Sequence, residues 1–418
     1  MSLCPVRHEN PETLTVCKIC GLPIIDVKSE FVEAIENLQA RSIFARPKSW
    51  NFVVGIGSIG TKILFNAKKI SQSIPRVTYL AIDAAKIDDV NIVESDPVLL
   101  MNLNDGKSGA STFCGRGELS AQQDPNLVPL INNIGIRDRD ENQSVLIAAA
   151  LGGGTASGVV PFFLKQARNC NPECFTFILS ILPGAGESLH NHINAYCGLG
   201  QIFRANHDAL ADGLITIKYD QLKKIHGVGI SGKELTPDEA VASLFSLMAA
   251  TLTIPNAAKF GRLNRWIRTP VFVPCLALGR SLEIFGKLSN ILESSLAYPL
   301  APFSKEDVLL SELLIQIPKR LEKLFSDEVI SEELALFNRK YFANMKSSAF
   351  QVCFSEEQHD RIDICLLLGI KNIRNTIADT KQIFDTYKSQ VQDPHEWETY
   401  GLTEEKVVAA EKTVSSWL

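Results

Sequence analysis

The chain has 418 residues, 45% of them hydrophobic and 21% charged, with a formal net charge of -5. This composition supports two sizeable cores joined in one body, and the acidic balance gives no reason to expect nucleic acid or an anionic membrane as a partner. No apolar run is long enough to span a bilayer, the opening segment does not read as a secretory leader, and most cysteines sit in apolar context, so reduced thiols and a cytoplasmic location are expected.

Residues 1–28 hold the first motif. Cys4 and His8, spaced Cys-x3-His, precede Cys17 and Cys20, spaced Cys-x2-Cys and followed by Gly21. Four soft or borderline ligands in a stretch too short for its own core point to tetrahedral zinc (Zn2+), with metal binding supplying the folding free energy. The run is similar to small zinc ribbons appended to prokaryotic regulatory proteins, which most often bind other proteins. A helical linker is expected over residues 29–49, with Pro47 ending it.

Trp50, Asn51, Phe52, Val53 and Val54 read as a buried strand. The run Gly55, Ile56, Gly57, Ser58, Ile59, Gly60, Thr61, Lys62 turns it into a helix expected to start near Thr61. This Gly-x-Gly-x-x-Gly spacing also serves dinucleotide-binding folds, in which Asp83, at the end of the next strand, would grip a ribose. A polar loop follows, with Gly106, Gly109, Ala110, Gly115 and Arg116. The most informative run comes next: the apolar strand from Leu146 to Leu151 enters Gly152, Gly153, Gly154, Thr155, Ala156, Ser157 and Gly158, and then a helix. Glycines let backbone N–H groups approach an anion, Thr155 and Ser157 add hydroxyl donors, and the helix N-terminus adds its positive dipole end. A continuous buried strand over 175–182 leads to Pro183, Gly184, Ala185, Gly186 and Glu187, and a strand over 214–218 leads to Tyr219, Asp220 and Leu222. Thr236, Pro237, Asp238 and Glu239 form a capping box that opens a helix running to Thr251.

In this order, the stretches resemble the tubulin/FtsZ superfamily. The glycine run at 152–158 is similar to that family's Gly-Gly-Gly-Thr-Gly-[Ser/Thr]-Gly, and Ala156 is its one departure. The resemblance covers about residues 50–370 and implies an α/β fold: a parallel-sheet, Rossmann-like GTP-binding domain over 50–235, a central helix and following loop over 236–268, and a smaller α+β domain over 269–370, with a helical tail over 371–418. It also implies GTP or GDP with Mg2+, and self-association into an oligomer or filament. The nucleotide site it implies comprises Gly55, Gly57, Ser58, Ile59, Gly60, Thr61, Asp83, Gly109, Ala110, the 152–158 loop, Pro183, Glu187, Tyr219 and Asp238. Tyr219 stands where the family has an asparagine that helps read guanine. Asp238 and Glu239 could accept from a guanine edge, but capping explains them equally well.

The family also carries an acidic loop after the central helix that positions the attacking water on the nucleotide of the next subunit. Here Pro255 to Trp266 contain no carboxylate, and Asn264 is the nearest polar stand-in, able to orient water but not to take its proton. The leading reading is therefore a nucleotide-dependent assembly or scaffold protein with weak GTP hydrolysis. Two others stand beside it: a pseudo-GTPase interaction module whose zinc ribbon recognises a protein partner, and an NAD-type oxidoreductase. His190 and His192 read as a solvated helix start rather than a metal pair.

Overall fold

The computed structural model describes residues 2–3, 9–10, 51–70, 77–87, 98–106, 112–135, 143–204, 208–225, 227, 233–252, 256–355 and 360–418. At the N-terminus, β1 (Ser2–Leu3) pairs antiparallel with β2 (Glu9–Asn10). The body opens with β3 (Asn51–Ile56), α1 (Gly57–Ile70), β4 (Val77–Asp83) and β5 (Val98–Asn102). Next come α2 (Cys114–Gln123), α3 (Leu127–Gly135), β6 (Ser144–Ala150), α4 (Gly154–Cys170), β7 (Phe175–Leu182) and α5 (Leu189–Ile202). A small hairpin of β8 (Phe203–Arg204) and β9 (Asp208–Ala209) leads to β10 (Gly213–Lys218), α6 (Tyr219–Leu222) and α7 (Pro237–Thr251).

The second half runs α8 (Asn256–Ile267), β11 (Val271–Arg280), α9 (Leu282–Phe285), α10 (Leu288–Leu296), β12 (Val308–Pro318), α11 (Asp327–Tyr341), β13 (Ser347–Ser355) and β14 (Ile362–Ile370). It closes with α12 (Arg374–Gln390), a 3-10 turn at Pro394–Tyr400 and α13 (Glu404–Ser415).

One ten-stranded sheet, in the order β13-β12-β14-β11-β10-β7-β6-β3-β4-β5, runs through both halves. β5, β4, β3, β6, β7, β10 and β11 are mutually parallel, whereas β14 runs antiparallel to both β11 and β12. The two cores expected from composition, joined in one body, share this sheet. β10 and β11 join the halves through Leu214 opposite Val271 and Ile215 opposite Phe272, and the apolar cores lie on the two faces of this shared sheet. β6 and β7 are buried along their whole lengths, as their unbroken apolar runs require of parallel strands covered on both sides. Because these strands are parallel, the turns leaving β3, β4, β6, β7 and β10 all gather at one edge of the sheet, where open α/β sheets bind ligands.

Three expectations change. The segment after the central helix is not a loop but α8, and α1 starts at Gly57 rather than near Thr61. His192 is fully buried, with its Nδ1 beside the Thr380 hydroxyl at 3.3 Å, so the solvated reading fails for it. Burial, and then the neighbouring Lys218 charge, lower its pKa.

Candidate functional site

The first turn of the site is shaped by three glycines with different tasks. Gly57 has φ +74°, a backbone conformation other residues resist. A Cβ on Gly55 would lie 2.5 Å from the Gly60 carbonyl oxygen, and one on Gly60 would lie 2.3 Å from that of Ala148, so the turn and the helix sit directly on the sheet backbone. Ser58 and Ile59 are exposed, with Ile59 at 52%. The Ser58 hydroxyl donates to Asp83 Oδ2 at 2.8 Å, while Asp83 Oδ1 accepts from the Ala84 amide at 2.7 Å. Asp83 is therefore a buried brace between the β3 and β4 turns. Thr61 Oγ1 donates to the Ser58 carbonyl at 3.0 Å.

The glycine run lies directly beside it. A Cβ on Gly57 would meet the Ala156 methyl at 3.4 Å, so the N-termini of α1 and α4 adjoin. The alanine that departs from the family pattern is accommodated by packing against a glycine. Gly153 is the N-cap of α4 and, having no side chain, supplies no capping acceptor to the first turn of the helix. Among the described residues, a Cβ added to Gly153 would find only the Ala150 carbonyl oxygen, at 3.5 Å. A helix end without a side-chain cap, its positive dipole end and the room left by a glycine form a geometry that receives an anion.

Not every residue of the run faces that space. The Ser157 hydroxyl is wholly buried and donates to the carbonyls of Leu151 and Gly153, and its amide bonds Gly153, so it holds the loop's shape. Gly158 lets α2 lie against α4, since a Cβ there would sit 2.2 Å from the Glu118 amide nitrogen. Gly152 would crowd Asn191, whose amide in turn donates to Glu187 at 2.7 Å.

Sequence reasoning missed Asn194. Fully buried on α5, it donates to the Thr112 carbonyl at 2.8 Å and the Gly152 carbonyl at 3.0 Å, and it accepts from the Cys114 amide at 2.9 Å. One side chain thus ties the end of the 106–116 loop to the start of the glycine run. An isolated asparagine in a helix carries no motif that would reveal this. Gly109 and Ala110 lie outside the described residues.

The remaining predicted residues ring the same edge. Pro183 is buried at the end of β7, and the loop it opens is pinned by Asp220, whose Oδ2 accepts from the Ala185 amide at 2.7 Å. Tyr219 is exposed at the start of α6, with Lys223 Nζ 4.9 Å from its ring centroid. Asp238 opens α7 and pairs with Lys62 Nζ at 2.5 Å, a solvent-exposed pair worth little on its own but marking where α7 meets α1. The capping box forms as expected: Glu239 Oε2 accepts from the Thr236 amide at 2.8 Å, and these bonds lower the Glu239 pKa.

α7 runs about 22 Å from that edge, and α8 packs at the opposite one. There Asp212, at the start of β10, accepts from Arg265 Nε at 2.5 Å and from the Thr176 amide at 2.8 Å, and pairs with Arg168 at 3.3 Å. Asn264 is buried and donates to the Asp212 carbonyl at 2.9 Å. Asn264 and Arg265 are therefore structural ties to the sheet. Lys259, Arg262 and Trp266 lie on the outer side of α8, Trp266 at 79% exposure. Cys4, His8, Cys17 and Cys20 lie outside the described residues, among which no group of three or more His, Cys, Asp or Glu residues could hold a metal.

Comparison with known proteins agrees with this arrangement. Residues 27–227 match the model for the GTPase domain of the Tubulin/FtsZ family. The tubulin-like protein CetZ2 of Haloferax volcanii is 25% identical over 206 residues, 47% of this chain and 53% of its own length. The chain thus matches about half the length of that curated relative. Three solved structures share the fold. CetZ from Methanosaeta thermophila has a TM-score of 0.59 at 15% identity, covering 87% of this chain and 98% of its own. The GTPgS-bound protofilament of CetZ2 from Haloferax volcanii gives 0.59 at 17%, covering 82% and 100%. The empty FtsZ dimer of M. jannaschii gives 0.60 at 17%, covering 82% and 95%. The matched family model covers residues 27–227, just under half of the chain, and with the shared fold and the converging glycine turns it makes that part similar to the GTPase domain of the Tubulin/FtsZ family.

Proposed function

We propose that this chain binds GTP and GDP at the edge formed by the β3, β6, β7 and β10 turns, and that copies of it assemble in a nucleotide-dependent way with weak hydrolysis. The observation that carries the reading is the N-terminus of α4, without a side-chain cap, beside that of α1, which fits phosphate oxygens and among the described residues has no side chain in the way. An NAD-type oxidoreductase needs no second glycine turn of this kind. Asp83 accepts from Ser58, Ala84 and Ala85 and so braces the turn; a magnesium ion accompanying the nucleotide would neutralise phosphate charge there. That the similar CetZ2 of Haloferax volcanii forms a GTPgS-bound protofilament supports both nucleotide binding and self-assembly.

Weak hydrolysis follows from what the opposite edge offers. From 253 to 270 the chain has no Asp or Glu, and its two asparagines donate their side-chain amides to backbone carbonyls, Asn264 to that of Asp212 and Asn256 to that of Thr251. Loss of general-base help typically costs ~10²–10⁴-fold in rate. GTP turnover should be slow, with a specific activity that does not rise with protein concentration even where sedimentation shows assembly. Fast turnover that climbs steeply with concentration would mean that another group completes the site in the assembly.

The zinc ribbon is part of the same proposal, as a separate unit that recognises a protein partner. The spacing of Cys4, His8, Cys17 and Cys20 in the sequence is what this part of the proposal rests on, and these residues lie outside the described ones.

A further inference from the structure

The tail that follows β14 is fastened to the nucleotide half close to the phosphate turns. Its 3-10 turn, Pro394–Tyr400, ends at Gly401, whose φ of +64° favours glycine. A Cβ on Gly115, in the first turn of α2, would lie 2.0 Å from the Gly401 carbonyl oxygen, so the tail meets α2 backbone on backbone. Another side of α2 meets α4 in the same way. A Cβ on Gly117 would lie 2.3 Å from the Gly154 carbonyl oxygen, and one on Gly158 would lie 2.3 Å from that of Cys114. α2 is therefore wedged between the tail and the first turn of the helix proposed to receive phosphate, and these close-packed contacts contain no flexible side chain to absorb a shift.

Side chains join the same elements. Phe113, the N-cap of α2, stands edge-on to Tyr400 at 5.1 Å between ring centroids and to His190 of α5 at 5.2 Å, and the Tyr400 hydroxyl lies 3.1 Å from His190 Nδ1. The residues on either side of Phe113, Thr112 and Cys114, bond Asn194 through their backbones, and Asn194 in turn holds the Gly152 carbonyl. Lys406 of α13 pairs with Glu118 of α2 at 2.8 Å.

We propose that the tail regulates the phosphate site: the Pro394–Gly401 turn, seated on α2, holds the first turn of α4 in its anion-binding shape, and Tyr400 is the positioning residue. This rests on the nucleotide reading given above. It makes the tail and the nucleotide thermodynamically linked. If release of the turn lowers GTP affinity by some factor, GTP must hold the turn down by the same factor. The two states are the seated turn and the locally released one, an opening that does not require global unfolding. Release breaks the ring cluster and the Gly115–Gly401 contact. It spares the end of the tail, which Trp417 anchors separately on Phe203 and the Arg204 carbonyl.

Hydrogen–deuterium exchange of the full wild-type chain, with and without GTP, tests this without any substitution. GTP should slow amide exchange over residues 394–403 at least about fivefold, the lower end of typical coupling, and leave α11 unchanged. Tyr400→Ala should weaken GTP binding by the same factor, and Tyr400→Phe, which keeps the ring against Phe113, should restore most of it. Where Tyr400→Ala does not fold, the exchange measurement decides. Bound GTP with unchanged exchange over 394–403, or a folded Tyr400→Ala with wild-type affinity, overturns the proposal and leaves the nucleotide reading standing. A chain that takes up no GTP overturns the nucleotide reading, and this inference with it.

Discussion

Gly153 shows how one position can separate folding from binding. Its φ of -81° suits any residue, and among the described residues a Cβ there meets nothing closer than 3.5 Å, so Gly153→Asp is tolerated by the backbone. An aspartate at an N-cap accepts from the first-turn amides and stabilises the helix, yet it puts a carboxylate where phosphate is proposed to sit. The variant should melt at or above the wild-type temperature and lose GTP affinity by at least about a hundredfold. A well-folded variant with unchanged affinity in a titration would show that phosphate goes elsewhere. Glu312 gives a residue-scale prediction of another kind. Fully buried on β12, it accepts from Gln351 Nε2 at 2.9 Å, and its other oxygen has no partner. Burial pushes its carboxyl up to about 7, against the smaller opposing effects of Gln351 and Lys259. Because the folded value is raised above the ordinary one, its stabilising contribution is complete at low pH and is lost as pH rises toward 7, with a slope of up to about 1.4 kcal/mol per pH unit. Denaturant titrations should show that slope between pH 5 and 7 in the wild type and its loss in Glu312→Gln. Equal slopes in both would assign the effect to other groups.

At the scale of elements, the sequence makes some features plain and hides others for physical reasons. β6, β7 and the capping box of α7 are legible because unbroken apolar runs and Thr-Pro-Asp-Glu are local signals. α8 is not, because Pro255 before it and Gly261 within it read as loop punctuation, while its helicity comes from packing Ala257, Ala258 and Phe260 against the sheet. The same applies within the site. Gly55, Gly57 and Gly60 announce themselves by spacing, whereas Asn194 and Asp220 act on segments distant in sequence and so leave no pattern. The tail is half legible: Val407, Ala410, Val414 and Trp417 are buried, as an apolar face requires, but Val408 is 49% exposed. Trp417 Nε1 donates to the Arg204 carbonyl at 3.0 Å and stacks on Phe203, fastening the tail to the nucleotide half. The ribbon is the element whose test is simplest. Elemental analysis of the purified full chain should find one zinc, lost in Cys17→Ser without loss of nucleotide binding. Absence of zinc from the wild type would end that proposal.

For the whole molecule, the parallel strands divide the two ends of the sheet between two kinds of chemistry. One edge gathers glycine turns and helix N-termini. The other is closed by Asp212 with its two arginines, and α8 turns Lys259 and Trp266 outward beyond it. The central claim is that the first edge holds a guanine nucleotide. The most direct measurement is to purify the full chain without added nucleotide, denature it, and identify what it releases by chromatography and mass spectrometry. The account predicts GDP or GTP in near-stoichiometric amount, or stoichiometric uptake of added GTP by a chain that emerges empty. Release of a nicotinamide dinucleotide, or an empty chain that takes up no guanine nucleotide, would contradict it.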